Sequence, residues 1–95
     1  MNYKILEKEF TKHKFKHLQL KRDGDVAIYI RKKEDARNWH YEVIKISRHD
    51  GYELAGNKIE PAETYPSAST WGAFGWTYNT IESAENKFKE LLNKK

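Results

Sequence analysis

Cysteine is absent from the 95 residues, proline occurs twice and glycine five times. The first absence excludes disulfides, thiolate nucleophiles and cysteine-based zinc sites together, and it suits a reducing compartment. The scarcity of proline and glycine leaves no stretch that reads as a linker. A chain of this length supports one core, so residues 1–95 read as a single domain. Long apolar runs are also missing. "MNYKILEKEF" lacks the apolar stretch of a signal peptide and nothing later is long enough to span a bilayer. The expectation is a cytoplasmic protein with no membrane partner.

What is present is polar but ring-rich. Hydrophobic residues make up 38% and charged residues 34%, with three Trp, six Tyr and four Phe. Each ring buries far more area than an aliphatic side chain, which points to an ordered domain rather than a disordered one. The net charge is +4, unevenly spread. Residues 1–33 hold ten Lys/Arg against four Asp/Glu, whereas residues 34–79 hold four against seven. A basic front and an acidic middle present an anionic partner with one favourable side.

"TIESAENKFKELLNKK" carries Ile81, Ala84, Phe88, Leu91 and Leu92 at helical spacing, which predicts a helix over 80–93. Thr80 or Asn79 caps it, and Glu85–Lys89 and Glu90–Lys94 are i,i+4 pairs. The strand-rich part, 1–78, precedes it. "VAIYIRKK" alternates, with Val26, Ile28 and Ile30 on one face. A three-residue Arg22-Asp23-Gly24 loop, with Gly24 left-handed, sets Leu20 against Val26 and Leu18 against Ile28. The same register sets Phe15 against Arg31 and His17 against Tyr29. A His49-Asp50-Gly51 loop sets Ile46 against Leu54 and Arg48 against Tyr52, and Gly56-Asn57 marks a further turn. "WHYEVIKI" has apolar residues of both parities, so both faces are covered or a bulge intervenes. Residues 1–10 read as an edge strand, with a helical turn through Tyr3, Leu6 and Phe10 as the alternative. The predicted architecture is α+β: an antiparallel meander of about four to six strands with a C-terminal helix on one face.

The stretches "GDVAIY" (24–29), "YEVIKI" (41–46), "HDGYELAG" (49–56), "IEPAETYPSASTWGAFGWTY" (59–78) and "IESAENKFKEL" (81–91) resemble a family of small, uncharacterised bacteriophage and prophage proteins. The likeness spans roughly the last three quarters of the chain and omits residues 1–22. It implies a phage-type origin, hence a host cytoplasm, and supplies no catalytic residue or ligand.

Catalysis has little to work with. Ser47, Ser67, Ser69 and Ser83 lie in no nucleophile-elbow context, and no phosphate-binding glycine pattern occurs. Glu60 and Glu63 flank Pro61 and read as solvated loop acids or local hydrogen-bond acceptors. His13 and His17, placed on one strand, stand about 13 Å apart, too far to share an ion. No enzyme, metal site or cofactor is expected.

Binding surfaces are better supplied. Lys12, Lys14 and Lys16 form a comb on one strand face, and Lys21, Arg22, Arg31, Lys32 and Lys33 cluster at the next hairpin, as phosphate contacts require. Lysines on an edge strand also guard against aggregation. Phe15 and Tyr29 beside Arg31 offer rings on which bases stack, or rings that pack beneath "WGAFGWTY". Within that stretch Phe74 and Trp76 are assigned to the core, Gly75 allows a second backbone to approach, and Trp71 is left as an exposed anchor for a partner protein. Two functions follow. The first is a non-enzymatic accessory protein that binds a host protein of the nucleic-acid-processing or defence machinery, as an inhibitor would. The second is a nucleic-acid-binding module that uses the basic front, with a virion component as a weaker third.

Overall fold

The computed structural model describes residues 3–33, 37 and 39–93. Its elements are β1 (Glu9–Lys12), β2 (Phe15–Asp23), β3 (Val26–Lys33), β4 (Trp39–Lys45), β5 (Ser47–His49), β6 (Tyr52–Leu54), β7 (Asn57–Ile59), β8 (Ala62–Thr64), a 3-10 turn (Ala68–Thr70), β9 (Gly75–Tyr78) and α1 (Ile81–Asn93). The main sheet runs β1-β2-β3-β4-β9, all antiparallel, and α1 packs against β3, β4 and β9. The α+β architecture is as the sequence predicts. None of the described helices is long and apolar enough to cross a membrane.

The helix starts where the Thr80 hydroxyl accepts the Ser83 N–H at 3.2 Å, a cap that satisfies an orphan donor of the first turn. Its buried residues are Ala84, Phe88 and Leu91, which meet Val26, Ile28 and Val43 from the sheet, with Ile81, Trp76 and Tyr78 alongside. Glu85 reaches across to Lys21 of β2 at 3.5 Å. Lys94 and Lys95 lie outside the described residues.

The sheet's other face carries Ala27, Tyr29, Ile44 and Ile46 beneath Leu6, Phe10, Tyr65 and Trp71. Strand β4 is therefore covered on both sides, which explains its apolar residues of both parities. The covering layer is the chain between β4 and β9, joined by the N-terminal segment.

Three connections differ from the sequence-based reading. The β2–β3 loop has two central residues, Gly24 and Asp25, with Asp23 opposite Val26 and Gly24 at φ 62°. A bulge between Gln19 and Lys21 then shifts the register, so Leu18 faces Ile30, Phe15 faces Lys33 and His17 faces Arg31. Without that extra residue a two-residue loop would turn Leu18 to the wrong face. The bulge, not a longer loop, returns it to the side of Val26 and Ile28.

The His49-Asp50-Gly51 segment does not close a hairpin. β5 pairs with β8, placing Arg48 opposite Glu63, and β6 pairs with β7 around Ala55 and Gly56, both at positive φ. The tight turn is thus one residue earlier than Gly56-Asn57. Residues 3–8 form no strand beyond a bridge from Lys4 to Ala62, and pairing with β2 begins at Glu9.

The reason for the β5–β8 pairing is a charge. Glu63 is 9% exposed, so it is not a solvated loop acid. It accepts two bonds from Arg22 at 2.7 Å, one from Arg48 at 2.8 Å and one from the Leu6 N–H at 2.9 Å. Arg48 also holds Asp25 at 2.6 Å. A hairpin that set Arg48 against Tyr52 would take this cation from a carboxylate that burial makes expensive to leave unpaired.

Replacing Phe88 by Ala removes the largest helix side chain in the core and is expected to lower stability by about 3–5 kcal/mol in denaturant melts. A loss under about 1 kcal/mol would contradict the docking described.

The Arg22 bonds hold the Glu63 carboxyl down at about 2, below its ordinary 4.5. A depressed folded-state value contributes stability that is full above the unfolded value and lost as pH falls through the folded one. Stability should therefore drop between about pH 4.5 and 2. In Glu63→Gln that part of the pH–stability curve should flatten, with roughly 3 kcal/mol lost at neutral pH from the uncompensated arginines. An unchanged curve would remove Glu63 from this role.

Candidate functional site

Beside the basic end of the sheet, the face opposite α1 opens into a cleft of about 420 Å³. Lys12, His13, Phe15, His17, Arg31, Glu42, Tyr65, Pro66 and Trp71 line it. Its volume is that of a small-molecule site. Strands β1, β2 and β3 supply one side. Their register puts Lys12, Phe15 and Lys33 in one row and Phe10, His17 and Arg31 in the next. The segment from Tyr65 to Trp71 supplies the other side.

Glu42 organises the floor. Its side chain is 3% exposed, and it accepts the Tyr65 hydroxyl at 2.6 Å and Arg31 Nη1 at 3.2 Å. Burial and then the neighbouring carboxylate push the Tyr65 hydroxyl well above its ordinary value, so it stays a donor. The Nδ1 of His17 donates to the Phe15 carbonyl at 3.2 Å, which leaves Nε2 facing Glu42 at 3.7 Å. Burial lowers the His17 pKa, and the Glu42 carboxylate acts against that shift. The imidazole stacks on Phe10 at 4.6 Å, and Tyr65 meets both rings edge-on.

The Arg31 guanidinium lies 4.2 Å over the Phe15 ring, anchored at its far end by Glu42. Its Nε–H is buried without an acceptor among the described residues. Such an orphan donor costs on the order of 1–3 kcal/mol.

The lysine comb predicted on one strand is broken by a hairpin. His13 and Lys14 are the turn between β1 and β2, at φ 53° and 69°. Lys12 faces the cleft, while Lys14, Lys16 and Lys32 gather with Thr11 in a separate hollow. The turn leaves these cations, with Lys33, at one tip of the sheet. Lys16 is paired with Glu9 at 2.9 Å, and Lys32 lies over Trp39 at 5.7 Å.

Lys21 and Arg22 stand apart from this group, because β2 carries them to its far end. There Lys21 lies over Phe88 and pairs with Glu85, and Arg22 is committed to Glu63. Tyr29 shares the face of Phe15 and Arg31 but is fully buried. Its hydroxyl donates to the Glu7 carbonyl and accepts from Gln19, so it cannot stack on a ligand.

The aromatic run also sorts differently from expectation. Trp76 and Tyr78 face α1, but Phe74 precedes β9 and is 42% exposed. Trp71 is not a free anchor. Its ring lies against Gly75, where a Cβ would come within 2.3 Å of it, and its Nε1 donates to Thr77 at 3.0 Å. The close approach that Gly75 permits is therefore made by a ring rather than by a backbone. Trp71 thus walls the cleft together with Tyr65, at 6.5 Å between rings.

Sequence reasoning missed Glu42, Tyr65 and Pro66. The one signal for Glu42 was a lone acid inside "YEVIKI", a strand with apolar residues on both sides of it. Comparison with protein-family models, curated proteins and solved structures returns no match.

Gly75→Ala tests the wall. The added methyl overlaps the Trp71 ring, and overpacking of this kind costs typically about 1–3 kcal/mol. A destabilised protein with altered tryptophan emission is expected, and unchanged stability would mean the ring does not sit on Gly75.

Proposed function

We propose that this chain is a nucleic-acid-binding module that takes a single strand over the β1–β2 tip and into the ring-lined cleft. One observation carries the reading. The hairpin register brings Lys12, His13, Lys14 and Lys33 to the end of the sheet where a cleft holding Phe15, Arg31 and Trp71 opens, while Lys16 and Lys32, paired across β2 and β3, face the other side of that end. Phosphates need clustered cations and unpaired bases need flat surfaces, and the two lie next to each other here. A guard against edge pairing accounts for Lys12 on the edge strand, but not for Lys14 in the turn or Lys33 on an inner strand. His17 and the Glu42 cluster fix the cleft floor, and Glu42 holds Arg31 in place over Phe15.

Binding of a host protein is the second reading. It is favoured by the β6–β7 hairpin, where Tyr52 and Leu54 stand 52% and 62% exposed. Those side chains, not Trp71, are the anchors it would use.

Titration of labelled single- and double-stranded oligonucleotides at several salt concentrations separates the two. Single strands should bind with affinity falling log-linearly with salt, and changing Lys12, Lys14 and Lys33 together to Ala should reduce the slope by about 2. Phe15→Ala should weaken single-strand binding about tenfold or more. No binding at low salt would overturn the nucleic-acid reading and leave the protein-partner one.

A further inference from the structure

Resting on that single-strand reading, we propose that the strand continues round the β1–β2 tip onto the α1 face. There Trp39 receives a base, and Lys14, Lys16 and Lys32 receive phosphates. The helix leaves this end of its face uncovered. It packs on β3, β4 and β9 and meets β2 at Lys21. Toward the tip, Leu18 and Trp39 stand 42% and 43% exposed.

The strand register defines what the uncovered end presents. Thr11 pairs with Lys16, Lys16 with Lys32 and Lys32 with Trp39, a row across four strands. Partners opposite one another share a face. Trp39, Tyr41 and Val43 alternate along β4, so the row lies on the side that Val43 shows to α1. Lys14 joins from the turn, and with Thr11, Lys16 and Lys32 it lines a hollow of about 420 Å³.

Three ammonium groups and a hydroxyl around one hollow suit the oxygens of a phosphate diester. Glu9 offsets one of them, at 2.9 Å from Lys16, while Lys14 and Lys32 have no acidic partner among the described residues. Lys16 and Lys32 lie on the inner strands β2 and β3, where cations guard no open edge. Trp39 is the flat surface beside them. Its Nε1 donates to the Tyr41 hydroxyl at 3.0 Å, which uses its one donor, and Lys32 Nζ stands 5.7 Å from the ring centre. The exposed indole therefore offers π surface rather than a hydrogen bond, and bases stack on such rings. An apolar protein surface would strip water from these ammonium groups without pairing them. A polyanion pairs them.

The cations also connect the two faces. Lys12 and Lys33 lie on the cleft side, Lys16 and Lys32 on the α1 side, and Lys14 in the turn between.

The test uses the full chain and a labelled single strand of about 16 nucleotides, the upper end of what one such domain occupies. An iodouracil base is placed at each position in turn and cross-linked by light, and the residue joined is located by mass spectrometry. Bases toward one end should join to Phe15 or Trp71, and bases toward the other to Trp39. Trp39→Ala should weaken binding about tenfold, as loss of one stacked base does. Changing Lys16 and Lys32 together to Gln should lower the salt slope by about 1.4. The cross-linking needs no variant and decides the matter if Trp39→Ala fails to fold. Cross-links confined to the cleft rings, or unchanged affinity in folded Trp39→Ala, overturn the route round the tip and leave binding in the cleft standing. Cross-links confined to Trp39 overturn the route as well. Absence of binding by the unaltered chain overturns both readings and leaves this face to a protein partner.

Discussion

Glu63 accepts hydrogen bonds from Leu6, Arg22 and Arg48, which belong to the N-terminal segment, β2 and β5. Through Arg48 it also fixes Asp25 in the β2–β3 turn. A carboxylate this enclosed is tolerable only with its partners in place, so each of these segments has one position that satisfies it. The three-residue strands β5 and β8 have little pairing energy of their own. The ion pairs across them make their register specific, and from there the chain is directed over the sheet toward Tyr65 and Trp71. The shape of the cleft is thus set from a charge cluster outside it.

The two faces of the sheet use different chemistry. Toward α1 the contacts are mainly aliphatic and aromatic: Val26, Ile28 and Val43 against Ala84, Phe88 and Leu91. On the other side the packing is aromatic and polar, with His17, Tyr29 and Tyr65 each hydrogen-bonded as well as ring-packed. Polar groups under rings must all be paired, which fixes their orientation more narrowly than aliphatic packing does. Arg31 is the member of that face whose donors are not all used, and it stands where the layer opens.

Much of this was legible from local pattern. The α1 stripe follows from spacing alone, and spacing narrows the cap to Thr80 or Asn79 and β4 to burial on both faces or a bulge, since each depends on residues close in sequence. The β2–β3 connection was not fixed by the same means. A longer loop and a bulge both restore Leu18 to the face of Val26, and hydrophobic alternation does not distinguish them. The β5–β8 pairing is non-local and rests on Arg48 finding Glu63, which no short window reveals. The exchange of roles between Phe74 and Trp71 depends on one ring fitting over one glycine, a matter of shape rather than of polarity. The cleft needs all three of these, so the sequence showed its cations and rings without their arrangement.

His13 and Lys14 hold left-handed backbone angles that residues with side chains adopt at some energetic disadvantage. Asn-Gly is the pair that such a two-residue turn accommodates most easily. A chain selected for folding alone would drift toward it, and each step would remove an ionisable side chain from the tip. The turn therefore sits at a compromise between robustness and surface chemistry. Stabilising this hairpin by consensus turn residues would yield a sturdier protein with a less basic end.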